Sequence, residues 1–234
     1  MKKTVVLNHK TYLTLNEAKN YGIDINDYIR NDQEVIVCPS NIYIPYFTGK
    51  YNFKIGSQDI SYLEITGETT GKMLKSNDIK YALVGHNERK NNLNETNKEI
   101  NKKIKEAQKY NITPIAILGE TYYENELKKT GEIITKTLKE YLKDTNENII
   151  IGYEPNYTFE KSQIPTKEHI EEIANLIKQI TTRKYNKNIK VLYGGNVSKN
   201  NIESLEQIKS LDGYLIGRES IKIKDIKQIF DKME

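Results

Sequence analysis

Short runs rich in β-branched residues recur along the 234-residue chain, and longer segments with helical spacing separate them. The runs cover residues 4–7, 34–38, 53–57, 81–85, 113–118, 148–153, 189–194 and 213–217. In the segment 166–184, Ile170, Ile173, Ala174, Ile177 and Ile180 form one apolar stripe. Such alternation predicts βα units with parallel strand pairing. No Gly/Ser/Pro-rich linker interrupts it, so residues 1–234 are expected to form a single domain. Eight units in this length fit an α/β fold of the (β/α)8 barrel type, which usually takes about 250 residues. A doubly wound open sheet is the alternative, but it would place a glycine-rich turn after the first strand, and none follows "VVLNHK". Thr14 and Glu17 make a capping box at the start of the first helix. Ile226, Ile229, Phe230 and Met233 supply the apolar face of the last.

Charge argues against several functions. The 36 basic and 32 acidic side chains are interspersed and leave a net charge of +4. No basic block marks a nucleic-acid binder. Cys38 is the only cysteine, which excludes an intrachain disulfide and suits a reducing compartment. The apolar run near the start is too short for a signal peptide, and no run approaches the ~20 residues that span a bilayer. The expectation is a soluble, cytoplasmic protein with neither nucleic-acid nor membrane partners. No two histidines have metal-ligand spacing, so no metal or other cofactor is expected.

In a barrel, the C-terminal ends of the strands build the site. Strand one ends "LNHK", where Asn8 and Lys10 share a face with Val6 while His9 faces away. If Val6 points inward, an amide and an ammonium stand at the mouth. Strand four ends at His86, which follows Gly85. His169 sits in the polar first turn of a helix and looks less placed. Strand six is apolar yet ends in Glu154, held against Pro155, where desolvating a carboxylate costs free energy. Strands seven and eight end "YGGN" and "LIGRES", glycine turns through which backbone N–H groups before a helix could meet an anion. Each feature has a plain structural reading alone. Together they suit proton abstraction beside a carbonyl on a phosphorylated substrate.

Along essentially its whole length the chain resembles the triosephosphate isomerase family. The matching stretches, in family order, are "NHK", "VCPS", "GSQDIS", "TGE", "VGHNERK", "ILGE", "YEP", "YGGN" and "DGYLIG". The resemblance implies Glu154 as the base that shuttles a proton and His86 as the neutral electrophile at the carbonyl. It also implies Lys10 as the cation that stabilises the enediolate, Asn8 as an orienter of substrate oxygens, and Glu88 as a neighbour of Lys10. It makes Asn196, Gly217 and Arg218 substrate-binding positions. It further implies a homodimer in which Thr66, Gly67 and Glu68 insert into a neighbouring subunit.

The match weakens at the phosphate end. Tyr157 replaces a tryptophan, and Glu160 occupies the position of a glycine whose amide grips phosphate. Asn196 stands for a serine, Arg218 for a glycine, Ile117 for a cysteine and Asn87 for a serine. Arg218 could grip a phosphate or fill its place. The function expected is interconversion of dihydroxyacetone phosphate and glyceraldehyde 3-phosphate. The alternatives are isomerisation of a four-carbon ketose phosphate and a catalytically weak binding barrel, in which Glu160 and Arg218 would pair. A Schiff-base aldolase using Lys10 is a more distant reading.

Overall fold

Eight parallel strands pair in sequence order and close on one another, β8 against β1. They are β1 Lys3–Asn8, β2 Gln33–Cys38, β3 Lys54–Ser57, β4 Tyr81–Val84, β5 Thr113–Leu118, β6 Ile150–Tyr153, β7 Val191–Tyr193 and β8 Gly213–Ile216. The helices are α1 Leu15–Asn26, α2 Ile44–Phe47, α3 Gly71–Ser76, α4 Asn87–Leu93, α5 Asn97–Lys109 and α6 Tyr122–Glu126. After them come α7 Thr130–Tyr141, α8 Tyr157–Glu160, α9 Lys167–Tyr185, α10 Ile202–Glu206 and α11 Ile223–Lys232. The computed structural model describes residues 2–29, 33–126, 128–160 and 163–233, leaving out the side chains of Phe159 and Glu160. The expected barrel is therefore the observed one.

Strand alternation sorts the apolar side chains into two cores. Val6, Ile36, Cys38, Leu83, Ile115, Ile117, Ile150, Leu192 and Leu215 form the inner one, which fills the barrel. The alternate residues, such as Val5, Leu7, Ala116, Ile151 and Tyr193, pack outward against helix residues including Ile100, Ile104, Leu138, Ile177 and Phe230. Burying each such Leu, Ile or Phe side chain contributes roughly 1.5–3 kcal/mol. Strands buried on both sides need apolar residues at every position, which explains runs such as "NIIIGY".

The helices end where local chemistry ends them. Glu17 accepts hydrogen bonds from the Thr14 N–H and hydroxyl at 2.8 and 2.7 Å, closing the predicted cap of α1. The Thr166 hydroxyl caps α9 by accepting the His169 N–H at 3.2 Å. Asn186 ends α9 in the left-handed conformation, φ 52°. β8 leads into a single 3-10 turn, Arg218–Ile221, and α11 starts at Ile223. Among the described residues, no helix is long and apolar enough to cross a membrane.

Candidate active site

Val6 lies in the inner core, so Asn8 continues toward the barrel mouth and His9 packs outward; Lys10, just past β1, joins Asn8 in lining the mouth. His9 meets Tyr21 with ring centroids 4.3 Å apart, and burial pushes its imidazole down to about 3. Lys10 has a left-handed backbone, φ 50°, which costs of order 1 kcal/mol and must be held by its surroundings. Asn8 Oδ1 accepts its N–H at 3.0 Å, while Gln58 Nε2 donates to its carbonyl at 2.7 Å and to that of Cys38 at 3.0 Å. The Lys10 ammonium meets Glu88 Oε1 at 2.6 Å. Burial would raise the half-buried Glu88 carboxyl, but the hydrogen bond and charge of Lys10 outweigh it and leave the group lowered.

Simple alternation from inward-facing Leu83 would send His86 outward. Gly85 prevents this by taking φ +72°, a conformation that favours glycine. A Cβ there would also meet Ile100 Cδ1 at 3.0 Å. The chain turns, and His86 becomes the N-cap of α4, its Nδ1 accepting the Glu88 N–H at 3.2 Å. A ring nitrogen that accepts carries no proton, so the imidazole is neutral with its N–H at Nε2. That Nε2 lies 3.7 Å from Glu154 Oε2.

Glu154 follows inward-facing Ile150 by four residues and therefore points into the mouth. Its side chain is 3% exposed, and Oε2 has no hydrogen-bond partner among the described residues. Burial raises its carboxyl, against the opposing pull of the Lys10 and Lys90 charges. Burial also lowers the neighbouring Lys90 ammonium to about 8, with Glu154, Glu95 and Glu124 opposing. The backbone around Glu154 is fixed on both sides. Its N–H donates to the Leu118 carbonyl at 2.8 Å, and its own carbonyl accepts from Asn87 Nδ2 at 2.9 Å. At Gly119 a Cβ would lie 2.0 Å from the Glu154 carbonyl oxygen, so only glycine permits this approach.

The positions expected to bind phosphate gather on the other side of the mouth. Thr158, Gly194, Asn196, Val197, Gly217, Arg218 and Glu219 line a cavity of about 110 Å³. Asn196 is left-handed (φ 56°), Arg218 is exposed, and Gly217 sits against the Lys10 stem, leaving 3.4 Å between Cε and the place of a Cβ. The proposed partner of Arg218, the Glu160 side chain, lies outside the described residues. A larger cavity of about 460 Å³ is lined by Asn8, Lys10, Tyr12, Asn41, Gln58 and His86, among others. Among the described residues, no three His, Cys, Asp or Glu side chains are grouped to hold a metal ion.

Sequence reasoning did not single out Gln58 or Asn87 as supports, although both fall within motifs that carried the resemblance. It also left His169 unplaced, whereas the structure brings it to Tyr153 and Glu120.

A (β/α)8 barrel with an amide, an ammonium, a neutral imidazole and a buried carboxylate at its C-terminal mouth is of the enzyme class that moves protons beside a carbonyl. Within that class, the chain belongs to the triosephosphate isomerase family, whose model matches residues 3–233. It is 33% identical to the triosephosphate isomerase of Mycoplasmopsis agalactiae over 245 aligned positions, covering 95% of this chain and 93% of the relative. It is 31% identical to that of Clostridium botulinum strain Eklund 17B, covering 98% and 99%. Its identity to that of Orientia tsutsugamushi is also 31%, over 100% and 99%.

Proposed function

We propose that the chain interconverts dihydroxyacetone phosphate and glyceraldehyde 3-phosphate by proton transfer through an enediolate. The observation that carries this reading is the buried Glu154 carboxylate, with Oε2 unbonded among the described residues and His86 Nε2 3.7 Å away. Glu154 takes a proton from the carbon beside the carbonyl, while His86 Nε2–H donates to the carbonyl oxygen. The electron pair of the broken C–H bond becomes the C=C bond of the enediolate, whose charge Lys10 stabilises. Return of the proton to the neighbouring carbon, together with transfer of the hydroxyl proton to the former carbonyl oxygen beside His86 Nε2, completes the exchange, with Asn8 orienting the oxygens. The test is a coupled assay of the purified protein with dihydroxyacetone phosphate. A folded protein without turnover would overturn the reading and direct the search to four-carbon ketose phosphates.

Arg218 takes the place of phosphate-binding backbone in this proposal, consistent with its position on the small cavity beside Asn196 and Gly217. A hydrogen bond to a charged group contributes about 1.5–3 kcal/mol. Arg218→Ala is therefore expected to raise KM at least about tenfold while leaving kcat within a few-fold. An unchanged or lower KM would instead mean that the guanidinium obstructs the site.

We further read the protein as a cytoplasmic homodimer, in keeping with its single cysteine. Leu63 and Ile65, beside the loop at residues 66–68, are 44% and 61% exposed, and Ile42 is 73% exposed. Apolar groups so exposed suit a protein interface, and the 460 Å³ cavity beside Lys10 is open to a partner's loop. Sedimentation velocity is expected to return twice the 27.2 kDa chain mass; a monomer at micromolar concentration would refute the assembly.

A further inference from the structure

Behind the turn that carries Glu154 lies a buried polar cluster outside the proton-transfer set. Glu120, just past β5, has no solvent exposure. Its Oε1 accepts the Tyr153 hydroxyl at 3.1 Å, and its Oε2 has no hydrogen-bond partner among the described residues. His169, in the first turn of α9, brings Nε2 to 3.3 Å from the same hydroxyl and 3.7 Å from Oε1. The cluster is joined to the base. Tyr153 directly precedes Glu154, and the Asn156 N–H donates to the Glu120 carbonyl at 2.9 Å. Tyr157 is also buried beside this carboxylate; burial first, then the Glu120 charge, raises its phenol.

We propose that His169 is a positioning residue for Glu154, making the placement of the base depend on the protonation of an imidazole outside the mouth. The inference rests on the role given to Glu154 above. The Tyr153 hydroxyl has one proton and gives it to Glu120 Oε1, so a neutral His169 meets the hydroxyl oxygen with Nε2–H. A second proton on the ring places a cation 3.7 Å from a carboxylate that has no solvent exposure. At that distance and burial the attraction far exceeds its strength in water. The carboxylate is drawn toward α9, its bond from Tyr153 weakens, and Tyr157 loses part of its counterpart. The turn from Tyr153 to Tyr157 then shifts, and Glu154 with it.

The groups that bear on the ring come from several elements. Glu120 follows β5, Tyr153 ends β6, and Tyr193 of β7 stands behind Tyr153 with ring centroids 6.0 Å apart. On its own helix the charged neighbours are Lys167, Glu168 and Glu172. The adjoining α7 carries Glu132 and Lys136 at exposed positions, where solvent screens them. An imidazole is the side chain whose ordinary titration falls in the physiological range.

The experiment compares kcat/KM of the wild type and His169→Gln from pH 5.5 to 8.5. Gln at this third helical position completes a capping box with Thr166, so the variant is expected to fold. The titrations of substrate phosphate and of Glu154 cancel in the ratio. That ratio, wild type over variant, is expected to fall at least threefold from pH 8 to 5.5; a flat ratio overturns the proposal. Amide NMR gives a second reading that needs no turnover. The Glu154, Asn156 and Tyr157 amides are expected to titrate together with the His169 ring in the wild type and not in the variant. Absence of that shared titration also overturns it. A wild type inactive at pH 8 would defeat the isomerase reading alone, and the amide titration would still decide the role of His169.

Discussion

Glu154→Gln is expected to lower kcat by about a thousandfold and to leave KM nearly unchanged, as read in the coupled assay. A positioned general base typically contributes a factor of 10² to 10⁴. Gln keeps the volume and one acceptor oxygen of Glu, so ground-state contacts survive and only the ability to take a proton is lost. A kcat within tenfold of the wild type would mean that another group abstracts the proton. The pH profile follows from the same burial. Activity requires the carboxylate, whose pKa is raised above the ordinary value of about 4.3. The acid limb of kcat/KM should therefore begin at a higher pH than an ordinary exposed Glu would give.

The same substitution should stabilise the protein. Below its unfolded pKa, Glu154 is protonated in both states and contributes no difference. Between the unfolded value and the raised folded one, only the native state holds the proton, so stability falls as pH rises through that window. Above it, the native state carries the full cost of a buried charge. Gln has no charge to desolvate, and the variant should melt higher than the wild type at neutral pH, with the gap closing toward acid. Thermal melts across pH 4 to 8 test this; a variant that melts lower throughout would mean that Glu154 makes a stabilising contact after all. A side chain that lowers stability and is needed for turnover is the expected mark of a site shaped for chemistry.

Much of this site was legible because strand parity is rigid. Once Val6 and Ile150 face inward, Asn8 and Glu154 follow, as the spacing in "VVLN" and "IIGYE" says, whereas Lys10 lies beyond β1 on a left-handed backbone and is held at the mouth by Asn8 and Gln58. His86 was legible only as a strand-tip residue. Parity alone would have turned it away, and its direction depends on the left-handed Gly85, a backbone choice that residue type permits but does not dictate. The supports were harder to see. Gln58 and Asn87 act on carbonyls 48 and 67 residues away in sequence, and no local pattern reports such pairings. Glu120 did leave a trace: a carboxylate soon after the apolar run 113–118, on the side that faces the helices. Its meeting with His169, however, depends on how α9 returns to the sheet.

Lys10→Met should reduce kcat/KM by about a thousandfold, partly in kcat and partly in KM. Removing one preorganised donor from a developing oxyanion costs about 10² to 10³ in kcat, and the enediolate would lose a full charge. The KM component comes from Glu88. With the ammonium at 2.6 Å removed, that carboxylate keeps its charge at the mouth and repels a phosphorylated substrate. Because the Glu88 side chain is 55% exposed, solvent screens much of this repulsion, and the kcat component should dominate. Adding Glu88→Gln to Lys10→Met should therefore recover part of KM and none of kcat, a division that simple unfolding of the mouth would not produce. Lys10 also opposes the rise of the Glu154 carboxyl. Its removal should move the acid limb of the remaining activity to higher pH. A limb that stays in place, or a kcat/KM within tenfold of the wild type, would show that the ammonium does not act on the reacting oxygens or on the base.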